Sequence, residues 1–418
     1  MKKIYREITR CRACGNRNLT AILHLGEQAL TGIFPKTKDK DVPRGPLELV
    51  KCDDRAGNQS CGLLQLKHSY ESSALYGEGY GYRSSLNQSM VRHLQAKVEK
   101  IKAGNILKSG DLVMDIGSND GTMLGFYPKD LTLVGIDPSA GAFKKYYPAH
   151  IQLIVDFFSA DAVKKAYGSR KAKVVTSIAM FYDLEAPVEF MRQVYEVLDD
   201  DGIWVLEQSY MPTMLERVAY DTICHEHLEY YGLKQICWMA DAAGFRVIDV
   251  QLNDINGGSF EVTLSKARKP QKAQADAIAG LLKKEERLSG TAGYDDFKKR
   301  VFAHKKELRE AVDTINAEGK TIIGYGASTK GNVILQFCGF TPKDIPYIAE
   351  VNRDKFGSFT PGTLIPIISE EKARAMKPDY MMVLPWHFKD NIIAREQEYL
   401  KGGGKLFFPL PKLEIVSR

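Results

Sequence analysis

The sequence predicts an α/β protein: a doubly wound, mostly parallel sheet flanked by a small cysteine-bearing module and a second α/β lobe. Three observations predict it. Asp111–Leu124 runs from Leu112, Val113, Met114 and Ile116 through Gly117 and Gly121 into an apolar pattern of helical period, as a buried parallel strand, a close turn and a helix would. Short apolar runs and helical patterns then alternate as far as Glu207, the order a doubly wound sheet requires. From Thr321 to Asn332 the strand, glycine turn and helix return. The expected units are residues 1–69, 70–267 and 268–418.

A chain of 418 residues has room for two or three domains with cores of their own. Its net charge of +6 is small for that length and its lysines are dispersed, so no nucleic-acid partner is expected. No apolar run is long enough to cross a bilayer, and the basic N-terminus lacks the apolar core of a secretion signal. A cytoplasmic monomer is the expectation. Seven cysteines then read as metal ligands or buried thiols rather than a disulfide framework.

In the first segment, Cys11-x-x-Cys14 forms a tight knuckle, and Cys52 and Cys61 bracket a polar loop that can supply a second arm. Four thiolates suit tetrahedral zinc, and a full set of four protein ligands makes that zinc structural. Pro35, Pro43, Pro46 and several lysines between the pairs predict an extended loop with too few apolar side chains to fold without the metal. Tyr70, Tyr76, Tyr80 and Tyr82 follow among glycines and serines, which is either a plain surface loop or a lid whose phenols reach a polar substrate. Val91–Leu107 has the pattern of an amphipathic helix.

The turn after the central strand could hold a nucleotide, but a phosphate-binding version has three glycines, and here Asp115 stands in place of the first. A carboxylate there repels pyrophosphate and welcomes a sulfonium. The next strand ends in Asp137, where an acid grips ribose hydroxyls. Asp-x-Gly-x-x-x-Gly with this strand-terminal acid resembles class I S-adenosylmethionine-dependent methyltransferases. The resemblance implies cofactor contacts from Asp115, Gly117, Asn119, Gly121, Asp137 and Pro138, with Asp156 and Phe157 bracketing the adenine. Phe181 and Glu207, at the ends of later strands, would complete the rim.

The most distinctive polar cluster is Cys224-His225-Glu226-His227-Leu228-Glu229-Tyr230-Tyr231. It lacks the four-residue spacing of a zinc protease and a third ligand, so a catalytic metal is disfavoured. Core histidines remain one reading. An acid/base centre is the favoured one, because histidine titrates near neutrality and a neighbouring carboxylate can orient it. Asn256-Gly257-Gly258 then predicts a hairpin or a close approach to a ligand. The stretch 270–319 reads as helices with charged faces. In the last lobe, Ser328, Thr329 and Lys330 at a helix start form an anion cradle, and Glu350 ends the following strand as a ribose-binding acid would. That lobe reads as a Rossmann-like nucleotide-binding unit without chemistry of its own.

Taken together, the chain resembles the sugar C-methyltransferases that act on nucleotide-linked deoxysugars, over nearly its full length. The four-cysteine module, the central fold, the Cys224–Tyr231 segment and Gly324-Tyr-Gly-Ala-Ser-Thr-Lys-Gly331 carry the resemblance. It implies His227 as the base, Glu226 as its partner and Tyr80 and Tyr82 near the substrate. A further histidine found in some relatives after the fourth strand is absent from Met180-Phe181-Tyr182-Asp183, and Cys224 replaces a tyrosine. The expected reaction is methylation of the carbon beside the ketone of a 4-keto sugar. His227 removes the proton and His225 or tyrosines face the enolate oxygen. The nucleotide half would be held by Asn256, Gly257, Ser328, Thr329, Lys330 and Glu350. The alternatives are a methyltransferase for another small molecule, RNA or protein, or an inactive binding protein of the same fold.

Overall fold

The N-terminal segment is not an extended loop. Leu19–Ala29 (β2) and Arg44–Cys52 (β3) pair antiparallel, after a short Tyr5–Glu7 (β1) and before Leu64–Leu66 (β4) and His68–Tyr70 (β5). The structure is a computed structural model and describes residues 4–53, 60–71, 75, 83–269 and 271–418. Ile22, Leu23, Leu25, Leu30, Leu47 and Leu49 are all buried, in one core shared with the C-terminal lobe. Apolar residues too few for an independent core are enough when a neighbour supplies the other half, and this is why the loop expectation fails.

Asn87 caps the helix Gln88–Ala103 (α1) through its side chain, and Met90, Leu94, Val98 and Ile101 bury one stripe of it. Leu112–Ile116 (β6), Thr132–Ile136 (β7), Ile151–Ile154 (β8), Ala172–Ile178 (β9) and Leu198–Ser209 (β10) then form a parallel array. Glu229–Tyr230 (β11) leaves this array altogether. It pairs with β4 and becomes an edge strand of the N-terminal sheet, in the order β11-β4-β3-β2. Phe245–Asn253 (β12) and Ser259–Lys266 (β13) close the seven-stranded sheet, ordered β12-β13-β10-β9-β6-β7-β8 with β13 antiparallel to both neighbours.

After the 26-residue helix Ala292–Ala317 (α2), the last lobe is a second sheet. Ile322–Tyr325 (β14), Ile348–Glu350 (β15), Ile367–Ser369 (β16), Tyr380–Val383 (β17), Lys405–Phe408 (β18) and Glu414–Val416 (β19) lie in the order β16-β15-β14-β17-β18-β19, parallel except β19. The helix Thr329–Cys338 (α3) follows β14 and carries the N-terminal module: Gln336 donates to Ala29 O at 3.1 Å and accepts from Ala29 N–H at 2.7 Å.

Each sheet reverses its winding beside the strand that starts it, β6 against β9 and β14 against β17, and open α/β sheets bind ligands at such points. At the first, a Cβ on Gly117 would lie 2.9 Å from Met180 Cγ; at the second, a Cβ on Gly326 would lie 2.6 Å from Pro385 Cδ. The loops that meet at both points lead toward one histidine. No helix among the described residues is long and apolar enough to cross a membrane.

Candidate active site

His227 lies at the junction of the three units. Its Nδ1 is 2.8 Å from Thr222 O. A carbonyl only accepts, so Nδ1 carries the hydrogen and Nε2 keeps its lone pair. The ring packs on Tyr182, centroids 4.2 Å apart, from the turn after β9. Burial, then the charge of Lys330, pushes its pKa down to about 3, so the imidazole stays neutral at physiological pH. Glu226 makes no recorded bond to His227. Its carboxylate accepts from Thr31 Oγ1 at 3.4 Å, and a Cβ on Gly32 would sit 2.7 Å from Glu226 Oε1. Thr222, not Glu226, therefore sets the tautomer, and burial raises the Glu226 carboxyl.

His225 is not part of this group. It is fully buried, with Nε2 3.3 Å from Gly45 O and its ring edge-on to Tyr70 at 4.8 Å. This is the core-histidine geometry that the sequence left open. Tyr80 and Tyr82 lie outside the described residues. Ser84 and Ser85, close behind them in the chain, reach the turn after β6: Ser84 N–H donates to Asn119 Oδ1 and Ser85 N–H to Asp120 Oδ2, both at 3.0 Å.

The C-terminal lobe reaches His227 as well. Lys330 Nζ donates to Asn256 O at 3.0 Å, and Trp386 Nε1 donates to Asp221 Oδ2 at 2.8 Å. Gly257 lies against Trp386, where an added Cβ would be 3.0 Å from its ring. Ser328 Oγ accepts from Gly331 N–H at 3.0 Å as the cap of α3, and Thr329 Oγ1 lies beside Gly32. Glu350 accepts from the N–H groups of Ala327, Val351 and Asn352 at 2.7 to 2.8 Å. Three of its roughly four acceptor positions are thus taken by its own backbone, which leaves little for a ribose.

The turn after β6 is also close to its reading, with two changes. Asp115 is buried within β6, accepts from Thr176 Oγ1 at 2.5 Å, and burial pushes its pKa up to about 7. It braces the turn from beneath rather than presenting a full charge to a ligand. Phe181 packs in the core against Phe190, Trp204 and Tyr231, and Glu207 bonds His93, Lys97 and Asn253 in a buried network, so neither stands free at the rim. Tyr147, which the sequence reading missed, closes the turn: its hydroxyl donates to Asn119 O at 2.8 Å and its ring lies 2.8 Å from where a Gly121 Cβ would be.

Comparison with known proteins fits this layout. Residues 254–411 match a C-methyltransferase C-terminal domain, residues 88–250 a methyltransferase domain and residues 11–76 a zinc-binding domain. The C-methyltransferase NovU of Streptomyces niveus is 32% identical over 426 residues, spanning 100% of this chain and 99% of its own. This chain is a member of the C-methyltransferase family. Among solved structures, it is similar to the plantazolicin methyltransferase BpumL (14% identity, 44% of this chain, 87% of that one, TM-score 0.35). It is also similar to the Burkholderia thailandensis 1,6-didemethyltoxoflavin-N1-methyltransferase (12%, 47%, 84%, 0.34).

The methyltransferase has residues that fit S-adenosylmethionine. Gly117 and Gly121 both have positive φ, +77° and +75°, and leave the backbone of the turn open to close approach. Val155 and Phe157 are 50% and 55% exposed, apolar surface left uncovered where an adenine would pack, beside the exposed Asp156 and the half-buried Pro138. Asp137 accepts from Asn119 N–H at 2.8 Å, Ser139 N–H at 2.7 Å and Ser139 Oγ at 2.6 Å, so it shapes the turn. Asp137→Ala is expected to weaken cofactor binding by about 1–3 kcal/mol through unpaired polar groups; titration calorimetry on the folded variant checks it, and unchanged affinity would remove Asp137 from the cofactor site.

The cysteines fit zinc equally well. The four Sγ atoms all lie within 4.8 Å of one another, with Cys11–Cys61 and Cys14–Cys52 at 3.5 Å. Tetrahedral Zn–S bonds of about 2.3 Å imply S···S edges of roughly 3.8 Å. Gln65 and Asn16 side-chain amides donate to Cys11 and Cys52 sulfurs at 3.2 and 3.4 Å, as thiolate ligands invite. With four protein ligands the metal has no open position and its part is structural.

Proposed function

We propose that the acceptor is a nucleotide-linked 4-keto-deoxysugar, methylated on the carbon beside its ketone, with His227 as the base. Carbon accepts a methyl cation only after it becomes nucleophilic, so a C-methyltransferase needs an acidic C–H and a base to take its proton. The observation that carries the reading is the His227–Thr222 bond, which leaves a neutral, half-buried Nε2 lone pair at the junction of the lobes. His227 removes the proton beside the ketone, and the C–H electron pair moves toward the carbonyl oxygen as the enolate forms. Negative charge growing next to His227 raises its basicity as the proton arrives, which offsets the lowering by burial. S-adenosylmethionine, when bound, supplies the electrophilic methyl that the carbon takes. Holding the cofactor at the turn Gly117–Gly121 and the acceptor beside His227 would set the line of attack. The resemblance in the segment Cys224–Tyr231 supports a sugar acceptor.

Mass spectrometry after incubating the enzyme and S-adenosylmethionine with a panel of nucleotide-linked 4-keto-sugars tests the proposal. A gain of one methyl on carbon with at least one member is the expected result; modification only of other small molecules, RNA or protein would refute it.

A further inference from the structure

The sequence assigns Lys330 to a phosphate cradle, yet its surroundings belong to the chemistry. Lys330 donates to Asn256 O, at the tip of the β12–β13 hairpin. That tip rests on Trp386 and His387. Trp386 is bonded to Asp221, and Thr222, the next residue, holds His227. Lys330 thus joins the hairpin tip to a chain of contacts that runs through Trp386 and Asp221–Thr222 to the base. An ammonium has three N–H donors. Asn256 takes one; among the described residues Nζ has no second hydrogen-bond acceptor, while the charge of buried Asp221 holds up a pKa that burial lowers. Its charge nonetheless bears on His227, Asp221 and His387. The cradle is partly filled by the chain itself: the Glu350 carboxylate stands bonded to Ala327 N–H within it, and Ser328 Oγ, which accepts from Gly331 N–H, keeps only its O–H to offer.

We propose that Lys330 is a catalytic residue supplied by the C-terminal lobe, donating a hydrogen bond to the ketone oxygen of the acceptor. This rests on the function proposed above. When His227 Nε2 takes the proton, the C–H electron pair becomes a carbon–carbon double bond and the carbonyl π pair moves onto oxygen. The Lys330 N–H bond to that oxygen shortens without proton transfer and holds the charge until the carbonyl re-forms on methylation. The lobe therefore does chemistry as well as anchoring, and an empty or displaced lobe leaves His227 without its electrophilic partner.

The test is deuterium exchange beside the ketone in heavy water, with S-adenosylhomocysteine in place of the methyl donor. Lys330→Met is expected to lower the exchange kcat by about 10²–10³-fold, the scale for losing one preorganised oxyanion donor, with KM and the Kd for nucleoside diphosphate within about threefold of wild type. Lys330→Arg keeps the charge and should recover part of the rate. Independently of substrate, NMR titration of the His227 ring should show its pKa rise in Lys330→Met, since a neighbouring cation has gone. Normal exchange with weakened diphosphate binding would overturn the assignment and return Lys330 to the phosphates. An unmoved His227 pKa in Lys330→Met, or in Lys330→Gln should Lys330→Met not fold, would overturn it too. Failure of wild-type enzyme to exchange any keto-sugar would instead bring down the function beneath it.

Discussion

His227→Ala is expected to lower deuterium exchange beside the ketone and methylation together, by about 10²–10⁴-fold, the range typical of general-base catalysis. Proton removal needs no methyl donor, so the exchange assay separates the base from the transfer. Both ligands should still bind, because the lost group is an imidazole and not a cofactor contact. With the free-enzyme value pushed down to about 3, the acid limb of kcat/KM should fall well below the ordinary histidine range near 6.5. Glu226→Gln should cost less and leave that limb in place, since the Nδ1 hydrogen is held by Thr222 O and not by the carboxylate. Near-normal exchange by a folded His227→Ala enzyme would move the base to Glu226, whose carboxylate faces Thr31 at the same junction.

Removing zinc is expected to unfold the N-terminal module and to silence the enzyme although the metal takes no part in the chemistry. Structural zinc sites carry apparent binding energies of about 10–16 kcal/mol. The consequence reaches the catalytic segment because β11 is a strand of that module's sheet: Glu229 and Tyr230 pair with Gln65 and Leu64, and Leu66 N–H donates to Leu228 O at 2.8 Å. Arg12, inside the Cys11–Cys14 knuckle, donates to Leu66 O at 2.6 Å and Ser69 Oγ at 2.8 Å, and its Nε lies 3.7 Å from Glu229 Oε1. Neither Glu229 oxygen has a hydrogen-bond partner among the described residues, so Arg12 is its charge partner in the interior. Elemental analysis should find close to one zinc per chain, and chelation should lower the melting temperature and the exchange rate in parallel. Arg12→Met, which keeps all four ligands, should destabilise the module by removing the charge partner of Glu229, whose carboxyl burial already pushes well above its ordinary range. Full stability and full activity in the zinc-free protein would refute the structural role.

Much of this was legible in the chain because local rules govern it. The strand–turn–helix at Leu112–Gly121 is written in residue order, and so are the acid at Asp137 and the hairpin at Asn256, since each depends on neighbours within a few positions, while the four cysteines are legible from ligand type and number. What local rules do not contain is the partner of each surface. Apolar residues of β2 and β3 were read as too few because their other half is α3, some 300 residues away. Leu228, Glu229 and Tyr230 gave no sign that they would leave the central sheet for another.

By itself, then, the sequence determined the fold of the middle domain, the set of four cysteines that suits zinc and the presence of an unusual histidine segment, because backbone conformation and ligand chemistry follow from residue type and spacing. Tertiary structure alone decided what surrounds each of two histidines two residues apart. His225 and His227 have the same composition and nearly the same place in the chain, yet Gly45 and Tyr70 enclose one while Thr222, Tyr182 and Lys330 surround the other. Desolvation and hydrogen bonding set what an imidazole does, and both are supplied by residues distant in the sequence.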